Sequence, residues 1–80
     1  MVINPKAKAL KLTNRQQIID AYTNAHKAQP SKKCIKLLID EFNKAYGYEL
    51  IQLSSFNSCA DCRLTIKNFW KYIISEWKKQ

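Results

Sequence analysis

The feature that most constrains the fold is an apolar pattern repeating every three or four residues near the C-terminus. Its members are Cys59, Cys62, Ile66, Phe69, Trp70, Ile73, Ile74 and Trp77. At about 100° per residue they fall within an arc of roughly 120° on one face of a helix. The pattern predicts an amphipathic helix whose apolar face lies in the core. Ser58 and Asp61 stand at capping-box spacing and mark its start. Lys78 and Lys79 suit its negative C-terminal end.

Two further helices are predicted upstream. For the first, Thr13 and Gln16 form a capping box. Ile18, Ile19, Tyr22 and Ala25 follow at helical spacing. Pro30 ends this helix, because a residue that precedes proline is pushed out of the α region.

The next helix is predicted from Ser31, as its cap, to Tyr46. Its buried stripe comprises Cys34, Ile35, Leu38, Phe42 and Ala45, flanked by Leu37 and Tyr46. Gly47 ends it, since glycine adopts the left-handed conformation without a Cβ clash. Residues 48–56 form either one or two helical turns, which we favour, or a short extended stretch.

The chain has only one glycine and two prolines in 80 residues, too few turn residues for an all-β fold. We therefore expect an all-α protein, either a three-helix bundle or a small orthogonal helical domain. Residues 13–80 form this single domain. Residues 1–12 form a basic N-terminal arm, with Lys6, Lys8 and Lys11 spaced along it.

The strongest global feature is charge. Fourteen Lys and Arg against six Asp and Glu give a formal net charge of +8. Such an excess raises the local concentration of polyanions, of which nucleic acid is the commonest and an acidic protein surface the next. The alternative is a well-solvated surface that serves no partner.

The basic residues concentrate in two places. Arg63, Lys67, Lys71 and Lys78 lie within about 80° of one another on the last helix, beside its apolar arc. Lys32, Lys33 and Lys36 occupy the first turns of the second helix, where the helix dipole disfavours cations. These seven are the candidate residues for binding nucleic acid or another anion. Twelve of the fourteen basic residues are lysines, which favours non-specific contact with the phosphate backbone. Alternatively, the methylene chains of these lysines and arginines merely cover apolar surface while their charged groups stay solvated.

The cysteines raise the question of a metal. Cys59 and Cys62 have the C-x-x-C spacing that is typical of metal sites. With Cys34 and His26 they complete a Cys3His set that could bind a structural zinc. A zinc-stabilised mini-domain is therefore one alternative. We favour core packing for both cysteines of the C-x-x-C, with no metal or other cofactor. A redox role is less expected, because the familiar redox C-x-x-C sits on a βαβ scaffold. No catalytic motif is present, so the chain is not expected to be an enzyme.

A protein-binding role is the other alternative. Leu64 and Tyr72 fall outside the apolar arc, and together with Trp70 and Trp77 they mark a possible docking surface for other subunits, including further copies of this chain. No apolar run approaches the roughly 18–20 residues that cross a bilayer, and no signal-type segment opens the chain. We therefore expect a cytoplasmic protein without a membrane partner.

Residues Phe56 to Tyr72 read FNSCADCRLTIKNFWKY, a polar loop, a C-x-x-C and a basic aromatic helix. This segment, about a fifth of the chain, resembles small helical proteins encoded by tailed bacteriophages, particularly those of gut bacteria. The resemblance implies a virion or DNA-packaging accessory: a capsid-associated, head–tail connector or DNA-contacting component.

Overall fold

The computed structural model describes residues 4–79, and all regular secondary structure in that range is helical. The helices are α1 (Pro5–Leu10), α2 (Arg15–Ala25), α3 (Lys32–Tyr46), α4 (Leu53–Ser58) and α5 (Ala60–Lys78). The all-α class is confirmed, with α2, α3 and α5 as the three long helices. Two six-residue helices, α1 and α4, complete the small helical domain.

Helix α5 carries the largest share of the core. Six residues of the predicted arc are buried: Ile66, Phe69, Trp70, Ile73, Ile74 and Trp77. Cys59 and Cys62 are half-buried at its start. The capping box predicted at Ser58 is wrong, since Ser58 ends α4 and its Oγ donates to the carbonyl of Ser54 at 2.9 Å. The N-cap is Cys59, whose Sγ accepts from the backbone N–H of Cys62 at 3.3 Å.

Helix α2 is shorter than its sequence pattern predicts. Its N-cap is Asn14, and the Gln16 side chain donates to Asp20 Oδ1 at 2.9 Å, so the capping box at Thr13 is wrong. The helix ends at Ala25, several residues before Pro30. The chain turns early because Asn24 Oδ1, in the last turn of the helix, accepts from the backbone N–H of Ser31 at 2.7 Å. This bond ties the end of α2 to the start of α3.

Helix α3 matches its prediction closely. It begins after Ser31 and ends at Gly47, which has φ of 85° in the left-handed region. Ser31 is the N-cap but makes no side-chain capping bond. The buried residues are Ile35, Leu38, Ile39, Phe42 and Ala45, and Cys34 is half-buried beside them. Ile39 is the one buried position of this helix that the predicted stripe did not include.

Aromatic side chains join α3 to α5 at the centre of the core. Trp70 is fully buried, and its indole Nε1 donates to the carbonyl oxygen of Leu38 at 3.0 Å. The ring of Phe69 meets the rings of Phe42 and Trp70 edge-to-face, with centroids 5.0 and 4.9 Å apart. Edge-to-face contacts place a positive ring edge against a negative ring face, and so stabilise a particular packing of the two helices.

The connection after Gly47 is held by one side chain. Asn43 Oδ1 accepts from the backbone N–H groups of Leu50 and Ile51, at 3.0 and 3.1 Å, and its Nδ2 donates to the Ile51 carbonyl at 2.8 Å. The chain then forms α4, whose Phe56 is buried against the core. The helical turn favoured for residues 48–56 is thus confirmed for the second half of that segment.

The segment predicted as an arm contains α1. Asn4 caps it, with Oδ1 accepting from Ala7 N–H at 3.2 Å, and Pro5 occupies its first turn, where a missing N–H costs nothing. Ala9 is buried, and Lys8 Nζ donates to the carbonyl of Lys44 at 3.0 Å. Residues 5–10 therefore form a helix packed on α3 and α5. Residues 1–3 of the predicted arm lie outside the described residues.

Candidate nucleic-acid interface

Three of the basic residues predicted on the last helix, Lys67, Lys71 and Lys78, line the outer side of α5. Lys71 and Lys78 are exposed, and Lys67 is half-buried beside the core. Within residues 4–79 the ion pairs are Lys44 with Glu41 and Lys79 with Glu76. None of the three thus has a carboxylate of this described range within salt-bridge distance, and we call Lys67, Lys71 and Lys78 the α5 lysine row.

Arg63 has a structural contact that the helical wheel does not reveal. Its Nη1 donates to the carbonyl oxygens of Phe56 and Asn57, at 3.1 and 3.0 Å. These carbonyls belong to the last turn of α4 and lack intrahelical donors, so the guanidinium caps α4 from the neighbouring helix. Its positive charge adds to the field near the row, while its orientation is set by α4.

The other three candidate residues lie elsewhere. Lys32, Lys33 and Lys36 are exposed at the start of α3. Lys33 and Lys36 line a shallow groove formed by α2 and α3, and Asp20 and Asp40 line it as well. The carboxylates that share this groove offset part of the charge of its ammonium groups. No residue of α5 lines this groove.

A basic residue of α1 also reaches α5, a contact that sequence reasoning missed. Lys6 Nζ lies 4.4 Å from the centroid of the Tyr72 ring, within the range of a cation–π interaction. The two residues come from opposite ends of the chain, so no local spacing signals the contact. A second cation–π contact places the Arg15 guanidinium 5.5 Å from the Trp77 ring.

The four residues of the alternative zinc set are only partly brought together. Cys59 and Cys62 lie together, whereas Cys34 lines the α2–α3 groove. The Nδ1 of His26 lies 2.8 Å from the Tyr22 carbonyl oxygen, and the centroids of the His26 and Tyr22 rings are 4.5 Å apart. Across residues 4–79, no three His, Cys, Asp or Glu side chains converge as a metal-binding group.

The two thiols at the start of α5 differ in acidity. Hydrogen bonds from the side chain and then the backbone N–H of Cys62 lower the pKa of Cys59. The pKa of Cys62 is raised, first because its own thiol donates to Cys59 and second because of desolvation. The sequence shows the spacing, but the difference in pKa depends first on the hydrogen bond between the two side chains and then, for Cys59, on the cap bond from the Cys62 N–H.

Four large apolar side chains are exposed in the part of the chain that the structure describes: Tyr48, Leu50, Leu64 and Tyr72. Leu64 is 57% exposed on α5, one turn before Lys67. Tyr48 is 61% exposed and lines a groove between α1 and the end of α3, together with Lys8 and Leu12. No helix within residues 4–79 is long and apolar enough to span a membrane.

Comparison of this chain with known proteins identifies no relative. No model of a protein family, no curated protein and no solved structure matches this chain. The geometry of the α5 lysine row is therefore the main guide to function.

Proposed function

We propose that this chain is a small basic module that binds nucleic acid non-specifically through the phosphate backbone. The observation that carries the proposal is the α5 lysine row, which has no carboxylate of residues 4–79 within salt-bridge distance, on a chain of net charge +8. Arg63 and the lysines at the start of α3 contribute to the attractive field. No catalytic step and no cofactor are part of the proposal, and we place the protein in the cytoplasm, or in a virion if it is phage-encoded.

The spacing of the row suits a phosphate backbone. From Lys67 to Lys78 a helix rises about 16.5 Å, and the same length of duplex carries about ten phosphates. A lysine ammonium acts as a point charge on a flexible stem, so it accommodates phosphates in many registers. Contacts of this kind position a protein on nucleic acid without reading its sequence.

The test is binding to random-sequence duplex DNA across a salt series from about 50 to 200 mM. A phosphate-binding protein shows a linear fall of log affinity with log salt. Replacing Lys67, Lys71 and Lys78 together by glutamine should reduce the magnitude of that slope by up to about 2.7, since each phosphate contact contributes about 0.9.

The matched control replaces Lys32, Lys33 and Lys36 by glutamine, which removes the same charge from another surface. We expect a smaller change in slope for this control, because Asp20 and Asp40 already offset part of its charge. Equal losses in the two variants would assign binding to overall charge rather than to the row. Absence of binding by the unaltered protein at 50 mM salt would contradict the proposal.

A second candidate is a structural or assembly protein that docks on other subunits. It is favoured by Leu64, a large apolar side chain that is exposed on α5. The resemblance of residues 56–72 to phage accessory proteins points to virion subunits or further copies of the chain as partners. In this case Leu64→Ser should dissociate an oligomer or complex measured by light scattering, whereas loss of the lysine row should leave it assembled. A monomer with no co-purifying partner would count against this candidate.

A further inference from the structure

The strongest unexplained chemistry in the fold lies where α4 meets α5. Cys59 is the C-cap of α4 and the N-cap of α5, and its backbone N–H donates to the Ser55 carbonyl at 2.8 Å. Its Sγ accepts from the Cys62 N–H at 3.3 Å. That position normally holds an oxygen of Ser, Thr, Asp or Asn. A thiol is a weak acceptor there, whereas a thiolate is well suited to the positive end of a 19-residue helix.

The pair has the asymmetry that disulfide exchange requires. Hydrogen bonds from Cys62 lower the pKa of Cys59, and donation to Cys59 raises the pKa of Cys62. The thiolate is the attacking species in such exchange, and the second thiol completes the reaction. Both side chains are only half-buried, and the residues beside them, Ser58, Ala60 and Asp61, are exposed. A dissolved reagent can therefore reach the sulfurs.

We propose that Cys59 and Cys62 form a reversible dithiol–disulfide site, with Cys59 as the attacking thiolate. The substrate class is a disulfide RSSR, such as a low-molecular-weight disulfide. Cys59 S⁻ attacks one sulfur of RSSR, the S–S bond breaks, and RS⁻ leaves with its electron pair. The Cys62 thiol then loses its proton to solvent and attacks Cys59 Sγ, which releases the second RS⁻. Two protein thiols are oxidised by two electrons, and RSSR is reduced to two RSH after protonation.

The two cysteines lie next to each other at the start of α5. Cys59 stands at the N-cap with extended φ and ψ of −123° and 113°, and its Sγ lies 3.3 Å from the backbone nitrogen of Cys62. Closing the disulfide ring requires the two Cβ atoms to come within about 3.5–4.5 Å of each other. This inference is independent of nucleic-acid binding, because neither sulfur belongs to the α5 lysine row.

The chain provides its own reference thiol. Cys34 lines the α2–α3 groove, away from the start of α5, and it does not belong to the proposed pair. The experiment therefore uses the full chain carrying Cys34→Ser, treated with a chelator to remove any bound metal. The protein is incubated with oxidised glutathione and then with a reductant, and free thiols are titrated at each stage. Peptide mapping by mass spectrometry identifies the bonded sulfurs.

We expect both thiols of the Cys34→Ser protein to be lost together, a Cys59–Cys62 cross-link to appear, and both thiols to return on reduction. Adding Cys62→Ser should stop the reaction at one glutathione bound to Cys59. Adding Cys59→Ser instead preserves an N-cap oxygen and the fold, and it should leave Cys62 largely unmodified. Two free thiols after oxidation, or separate glutathione adducts on both cysteines without a cross-link, would overturn the proposal. Circular dichroism verifies that each variant is folded.

Discussion

The indole Nε1 of Trp77 donates a hydrogen bond of 3.2 Å to the carbonyl oxygen of Leu10, joining the last helix to the first. The same carbonyl accepts from Arg15 Nη2 at 3.0 Å. Through these contacts a six-residue helix, too short to be stable alone, is held against the core. The N-terminal segment is thereby part of the folded domain from Pro5 onward.

Replacing Trp77 by phenylalanine tests this connection. Trp77→Phe removes one donor and some volume but leaves Arg15 on the Leu10 carbonyl, so we expect a loss of about 1–2 kcal/mol in the free energy of unfolding. Urea denaturation followed by far-UV circular dichroism measures it. The comparison variant is Trp70→Phe, which changes a fully buried site and should cost more. An unchanged midpoint for Trp77→Phe would mean that α1 is not coupled to global stability.

Asn43 should be one of the most sensitive polar positions. Its side chain makes three hydrogen bonds to the backbone of Leu50 and Ile51. Asn43→Ala leaves those groups unpaired, and we expect a loss of about 2–3 kcal/mol in unfolding free energy. Asn43→Asp keeps the Oδ1 acceptor but puts a carboxylate oxygen in place of the Nδ2 donor to the Ile51 carbonyl, and we expect it to retain part of the stability that the alanine variant loses. An Asn43→Ala protein as stable as the unaltered chain would contradict the role of this side chain.

Gly47 ends α3 in the left-handed backbone conformation, which is unfavourable for residues that carry a Cβ. With φ of 85°, a Cβ at this position clashes with its own backbone. Gly47→Ala should lower the unfolding free energy by about 1–2 kcal/mol. Gly47→Asn should cost less, since asparagine tolerates the left-handed region. Chemical denaturation of both variants measures the difference, and an alanine variant as stable as the asparagine variant would contradict this reasoning.

Arg63 should affect stability more than binding. Arg63→Gln removes the bonds to the Phe56 and Asn57 carbonyls, and we expect a loss of about 1 kcal/mol in unfolding free energy. Lys71→Gln changes the same charge at an exposed position and should leave stability within about 0.5 kcal/mol. Thermal denaturation separates the two. An Arg63→Gln protein as stable as Lys71→Gln would assign Arg63 to the surface rather than to the cap of α4.

The two thiols should ionise at midpoints that are shifted in opposite directions. The folded pKa of Cys59 is lowered, so its thiolate forms at a lower pH than in the unfolded chain. The folded pKa of Cys62 is raised, so its thiolate forms at a higher pH. Alkylation rates of each cysteine, followed by mass spectrometry from neutral to alkaline pH, should therefore have midpoints on either side of the unfolded-chain value. The lowered Cys59 pKa contributes stability above its unfolded pKa, and this contribution disappears as pH falls through the folded value. Coincident midpoints would contradict the capping role of the Cys59 sulfur.

The local pattern of the sequence was sufficient to place the two longest helices. Their apolar residues recur at helical spacing, and Gly47 ends α3 because glycine itself adopts the left-handed backbone conformation. The pattern also places Lys67 and Lys71 on the outer side of α5. Caps were predicted less well. The capping-box pattern requires only two suitable residue types at a spacing of three. Thr13 and Ser58 satisfy this pattern, yet each helix has its N-cap one residue later, at Asn14 and Cys59.

The remaining features depend on contacts between residues distant in sequence. Nothing near Leu10 indicates that Trp77 binds its carbonyl, and nothing near Arg63 indicates that it caps α4. The sequence by itself determined the helical class, the core faces of α3 and α5, and the positive charge. The tertiary structure decided that α1 packs, that Arg63 is held by α4 and that Cys59 caps α5. The physical reason is that periodicity acts within a helix, whereas a hydrogen bond between helices forms only after packing brings its donor and acceptor together.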